Sequence, residues 1–219
     1  MSIDTLVTYG WTFPYLPFTI GLARITRLSV AQRWLLGTVL LGILAEAASS
    51  WMAKIYGNNM TLTHVYTGLE GLFLIQVFYS GYPTLMRETW VRIIQVGYTG
   101  FVLCNSLLWQ DWFTYGSNVR LVEGIMISTL GIWFYFQVLK RIDVWRIEQH
   151  PLFWVSMGTL CYFTGNFLNF VYSEFVFEQT MKVFSPIWAI HAGLVLILYL
   201  AYSIALLCPP KVQPSPNYS

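Results

Sequence analysis

Apolar residues along this chain follow neither the period of two of a half-buried strand nor the one-sided 3.6 period of a surface helix. They run in long blocks, each close to the ~20 residues that carry a helix across the hydrocarbon core of a bilayer. Seven such blocks predict spans over residues 5–23, 34–55, 60–79, 89–109, 118–139, 152–172 and 184–207. Pro14 and Pro17 lie in the first span and are expected to bend it or break its first half. The second span holds Glu46 among Ala45, Ala47, Ala48, Ser49 and Ser50, small residues that let helices approach closely. Connections are short and leave no room for a separate soluble domain. The expected fold is all-α: one polytopic seven-helix transmembrane domain over 1–208, then a short tail over 209–219. The tail is rich in proline and is expected to be disordered.

Composition agrees with this pattern. The chain is 56% hydrophobic and 10% charged, with a mean hydropathy of +0.56, whereas soluble domains carry about 25% charged residues. The net charge of +2 does not suggest a nucleic-acid partner. Cys104, Cys161 and Cys208 fall in or at the ends of apolar blocks, without metal-ligand spacing. The N-terminus lacks the basic region of a removable signal peptide. Arg24, Arg27, Arg33, Arg87, Arg92, Lys140, Arg141, Arg146 and Lys211 fall on one predicted side; only Lys54, Arg120 and Lys182 fall on the other. Positive charge collects in the cytoplasm. The N-terminus is therefore expected outside and the C-terminus in the cytoplasm of a plasma (inner) membrane protein.

Candidate chemistry comes from polar residues inside the apolar blocks. Residues 63–76, THVYTGLEGLFLIQ, place a histidine, a tyrosine and a glutamate within one span. A carboxylate there costs roughly 2.5–3.5 kcal/mol on insertion scales, so something must offset it. Tyr66 and Glu70 are one helical turn apart on one face. Under the predicted orientation His64, Tyr66, Glu70, Glu123, Asn166, Asn169 and His191 all lie in the outer half to the middle of the bundle, with Glu46 near the middle of its span. These residues are the expected lining of a polar pocket open to the outer face. Glu70 either finds a partner among His64, His191 and Arg120, or keeps its proton. Arg120 and Glu123, three apart, are expected to pair with each other. The competing reading is that these groups only bond between helices, at about 0.6 kcal/mol each. Asn105, a single residue near the end of its span, fits that packing reading better.

Several chemistries are excluded by what the spans lack. No lysine stands in the last span for a retinal Schiff base. No HExxH motif, phosphate loop or GxSxG elbow is present. A metal or haem would have to use His64 and His191 together. No catalytic residue, metal ligand or cofactor is therefore assigned, and a non-enzyme is favoured.

The segment His64-Val65-Tyr66-Thr67-Gly68-Leu69-Glu70-Gly71-Leu72-Phe73-Leu74 resembles an aromatic-x-x-x-glutamate-x-x-(Phe/Leu)-Leu pattern in span three of small, functionally uncharacterised seven-helix proteins from bacteria. The topology is similar to that of rhodopsins and G-protein-coupled receptors, but a DRY-like triplet and an NPxxY motif are missing. Some members of the bacterial group accompany sensor histidine kinases, which implies signal input. The leading expectation is thus a membrane sensor or small-molecule binding protein that signals through a separate cytoplasmic partner. The alternatives are a membrane-embedded enzyme on a lipid-like substrate, using Glu and His, and a structural subunit.

Overall fold

The computed structural model describes residues 10–84, 86–140, 147–171 and 181–210. The start of the predicted first span, the charges at Arg141, Arg146 and Lys211, and the predicted disordered tail beyond Pro210 lie outside the described residues. Among those described there is no strand, and seven α-helices account for most of the chain. They are α1 (Tyr15–Ala23), α2 (Val30–Tyr56), α3 (Met60–Gly81), α4 (Glu88–Cys104), α5 (Ser117–Lys140), α6 (Pro151–Val171) and α7 (Met181–Leu207).

Local signals set the boundaries. Pro14 stands immediately before α1 and Pro17 falls in its first turn, where a missing N–H costs nothing. The residues before Pro14 form only a short 3₁₀ turn, Gly10–Thr12. Ser29 and Gln32 make a reciprocal capping box at the start of α2. Gly57 ends α2 at φ 69°, a left-handed conformation that only glycine adopts at no steric cost. The α4 backbone loosens into a π-turn over Asn105–Trp109. Pro151 occupies the first position of α6.

Four segments are long and apolar enough to cross a membrane: Val30–Tyr56, Glu88–Trp109, Ser117–Lys140 and Ile187–Leu207. Helix α1, with nine residues, is too short; at 1.5 Å per residue it reaches about 14 Å, against a core of ~30 Å. Helices α3 and α6 have the length but carry more polar side chains, among which His64, Thr67, Glu70, Ser156, Thr159 and Asn166 are buried. Around the outside Val96, Ile125, Ile132, Leu139, Leu168 and Ile190 are each more than half exposed, an apolar surface too extensive for water.

Helix α3 is central and packs against α2, α4, α5 and α6, while α7 packs against α6, α1 and α2. The connections at residues 57–59 and 110–116 mark one end of the bundle. Toward the other end Ile75, Phe78, Ile127, Phe134, Leu152, Val155 and Leu206 are completely or almost completely buried. In lipid such a core is held by close packing rather than by escape from water.

Candidate functional site

The middle of α3 and the first two turns of α5 meet through charge. Arg120 Nη1 donates to Glu70 Oε2 at 2.5 Å and to Glu123 Oε2 at 2.7 Å. Tyr66 Oη donates to the other oxygen of Glu70 at 2.8 Å. The Arg120 guanidinium also lies 5.4 Å from the centre of the Tyr66 ring, a cation–π contact. Arg120, Glu70 and Glu123 are all more than nine-tenths buried. Of the partners available to Glu70, the fold selects Arg120, and the pairing within α5 forms as well. One guanidinium nitrogen thus serves two carboxylates. Glu123 Oε1 is buried and has no hydrogen-bond partner among the described residues.

Tyrosines surround this triad. Tyr115, from the α4–α5 connection, hydrogen-bonds Arg120; burial pushes its hydroxyl pKa up, against the pull of the guanidinium. Tyr98 Oη donates to Thr67 O at 2.9 Å. Its ring lies so close to Gly71 that a Cβ there would stand 2.6 Å from it. Tyr66 and Tyr199 bring their hydroxyls over Gly42, where a Cβ would meet them at 3.6 and 3.2 Å.

His64 serves the neighbouring connection instead of Glu70. Its Nε2 lies 3.0 Å from Thr114 O and its Nδ1 3.2 Å from Ser106 Oγ. A carbonyl can only accept, so Nε2 carries the hydrogen and Nδ1 accepts from the serine. The connection is tied down further by Thr61 Oγ1 donating to Trp112 O at 3.1 Å and Asn58 Nδ2 donating to Phe113 O at 3.0 Å. Behind it, Asn105 is fully buried and exchanges amide bonds with Gln110 and Asn118, both at 3.1 Å.

Asn166, Asn169 and His191 form a separate group between α6 and α7. Asn166 Oδ1 accepts from His191 Nδ1 at 2.9 Å and from Asn169 Nδ2 at 3.1 Å. The His191 ring lies 5.9 Å from that of Tyr162. Glu46 is exposed on α2, one turn beyond Gly42. The eight residues expected to share one pocket therefore divide. Glu70, Tyr66 and Glu123 meet around Arg120; Asn166, Asn169 and His191 bond among themselves; His64 holds a connection, and Glu46 stands outside. His64 and His191 bond elsewhere and not to Glu70. Among the described residues no three His, Cys, Asp or Glu side chains group as metal ligands.

Tyr115 and Ser106 had no signal in the sequence, because an ordinary tyrosine or serine near a predicted span end is indistinguishable from an interfacial one; Tyr98, in the middle of its span, carries no charge that would single it out. Two clefts of about 620 and 590 Å³ lie elsewhere, along α4; Glu88, Arg92 and Val96 line the first, and Trp34, Phe73, Gln76, Gln95 and Thr99 the second. No family model, curated protein or solved structure matches this chain.

Proposed function

We propose that this chain is a seven-helix, multi-pass protein of the plasma (inner) membrane, with its N-terminus outside and its C-terminus cytoplasmic, that senses a small cationic molecule at the Glu70–Arg120–Glu123 cluster. The observation that carries the reading is Glu123 Oε1, a carboxylate oxygen buried without a donor beside more negative than positive charge. Such an atom is an empty acceptor, and a protonated amine is its natural complement. Arg120 already occupies the cluster as a cation, held by the same carboxylates and over the same tyrosine face that an ammonium group uses. Entry is from the outer face, beneath the 110–116 connection, which hydrogen bonds hold in place. A ligand there shifts Tyr115 and with it the start of α5. Helix α5 runs to Lys140, where a separate cytoplasmic partner receives the change. The resemblance of residues 64–74 to bacterial seven-helix proteins favours the same class.

The test is thermal unfolding of the purified protein in lipid with a panel of monocationic amines. Binding at a hundred times Kd stabilises the native state by about 2.7 kcal/mol, and E123Q removes that shift. A panel with no stabilising member overturns the reading. A second reading, a structural subunit, is favoured by the complete pairing of Asn105, Asn166 and His64. It predicts that E70Q and H191A change stability and no binding.

A further inference from the structure

Counting charges over the buried cluster leaves one unmatched. Arg120 brings one positive charge and cannot lose its proton in a protein. Glu70 and Glu123, both ionised, bring two negative charges to the same guanidinium nitrogen. A charge left unmatched out of water is strongly unfavourable, and a carboxyl in that position takes up a proton instead.

The two carboxylates are not equivalent. Glu70 has a donor on each oxygen: Tyr66 Oη on Oε1 and Arg120 Nη1 on Oε2. Both of its oxygens are already accepting. Glu123 has a donor on Oε2 only, its Oε1 has none, and the residue is 0% exposed. Among the described residues, the groups within electrostatic reach of Glu123 besides Glu70 and Arg120 include the hydroxyls of Tyr98, Tyr115, Tyr162 and Tyr202, from α4, the connection, α6 and α7, and none of these brings a positive charge. On α7, His191 gives its Nδ1 hydrogen to Asn166, and on α2 the carboxyl of Glu46 is exposed.

We infer that the triad is a binding site for a single proton, held on Glu123 Oε1 while Glu70 stays ionised against Arg120 and Tyr66. The cluster is then neutral: one carboxylate, one guanidinium, one carboxylic acid. This goes beyond the sensor reading: the proton occupies Oε1 in the absence of a ligand, and an amine that takes the same acceptor displaces it. The proton is also the smallest cation the site accepts.

Infrared spectroscopy of the protein in lipid at neutral pH, without ligand, tests it. A neutral carboxyl has a C=O band well separated from that of a carboxylate. One such band is expected to shift in E123D and to stay in place in E70D; each of these variants keeps its carboxyl, whereas removing the charge of Glu70 would let Glu123 ionise against Arg120. E46Q identifies any band from the exposed carboxyl on α2. A wild-type spectrum with no neutral carboxyl, or a band that shifts in E70D and not in E123D, overturns the assignment. If E123D fails to fold, glutamate-selective ¹³C labelling of wild type still reads the neutral carboxyl. A buried neutral carboxyl carbon is expected, and its absence overturns the proposal. A panel of amines that never binds leaves this result untouched, so the two readings fail separately.

Discussion

The two ends of the bundle treat polar side chains in opposite ways. At the end without the 110–116 connection, they serve as caps. Gln32 Nε2 donates to Ala205 O at 2.8 Å and Cys208 O at 3.0 Å, closing the last turn of α7. Arg24 Nη1 reaches Leu207 O at the same helix end, and Trp154 Nε1 donates to Glu148 O at 2.7 Å. Each of these satisfies a carbonyl that an unfinished helix leaves open. At the connection end, full charges face each other across α3 and α5. Capping stabilises any helix bundle. A buried triad does not have to: apolar residues of similar volume often hold the same space at equal or greater stability. The fold therefore explains Gln32, whereas stability alone does not account for Glu70, Arg120 and Glu123.

Breaking the triad should cost most. Arg120→Gln removes the shared cation and leaves two buried carboxyls without it, an expected loss of about 3–5 kcal/mol. Reversible unfolding in mixed micelles measures it. Gln32→Ala at the other end leaves two buried carbonyls open and should cost less, about 1–3 kcal/mol. Equal losses would erase the contrast between the ends. Replacing all three members together (E70L/R120M/E123L) sharpens it from the other side. With no charge left to bury, the expected stability returns to within about 1 kcal/mol of wild type or exceeds it. A triple variant as unstable as Arg120→Gln would make the triad a structural necessity.

The helical class was legible because apolar block length is a direct consequence of bilayer thickness. The pairing of Glu70 was legible in kind, since a carboxylate in a span demands a partner and Arg120 was among the few available. What could not be read was convergence. Glu46 and Glu123 are both carboxylates inside apolar blocks, yet one is exposed and the other is fully buried. Their difference lies in which way each helix is rotated, and rotation is set by packing against neighbours. His64 misled for a related reason. Its acceptor and donor, Thr114 O and Ser106 Oγ, come from a connection about fifty residues away in the chain, and nothing in the pattern of residues 105–116 announces that it folds back. The first predicted span was legible in part: the prolines indicated a break, and among the described residues its α-helix begins at Tyr15.

Smaller effects locate the border of the charged region. His64→Ala removes two hydrogen bonds to the connection, worth about 1 kcal/mol together at the ~0.6 kcal/mol typical between membrane helices. Hydrogen exchange should quicken over residues 106–117 and stay unchanged in α6 and α7. Exchange that quickens throughout would make His64 part of the common core. Glu46→Gln should do least. Its carboxyl is exposed, and surface substitutions stay within about 0.5 kcal/mol. Yet Glu46 stands one turn from Gly42, over which Tyr66 and Tyr199 place their hydroxyls, and Tyr199 lies within the electrostatic reach of both Glu46 and Glu70. A double-mutant cycle between Glu46→Gln and Glu70→Gln resolves the question. A coupling near zero confines the charged site to α3 and α5. A coupling above about 0.5 kcal/mol extends it through Tyr199 to α2, and the contrast between the ends becomes one between two sides of the bundle.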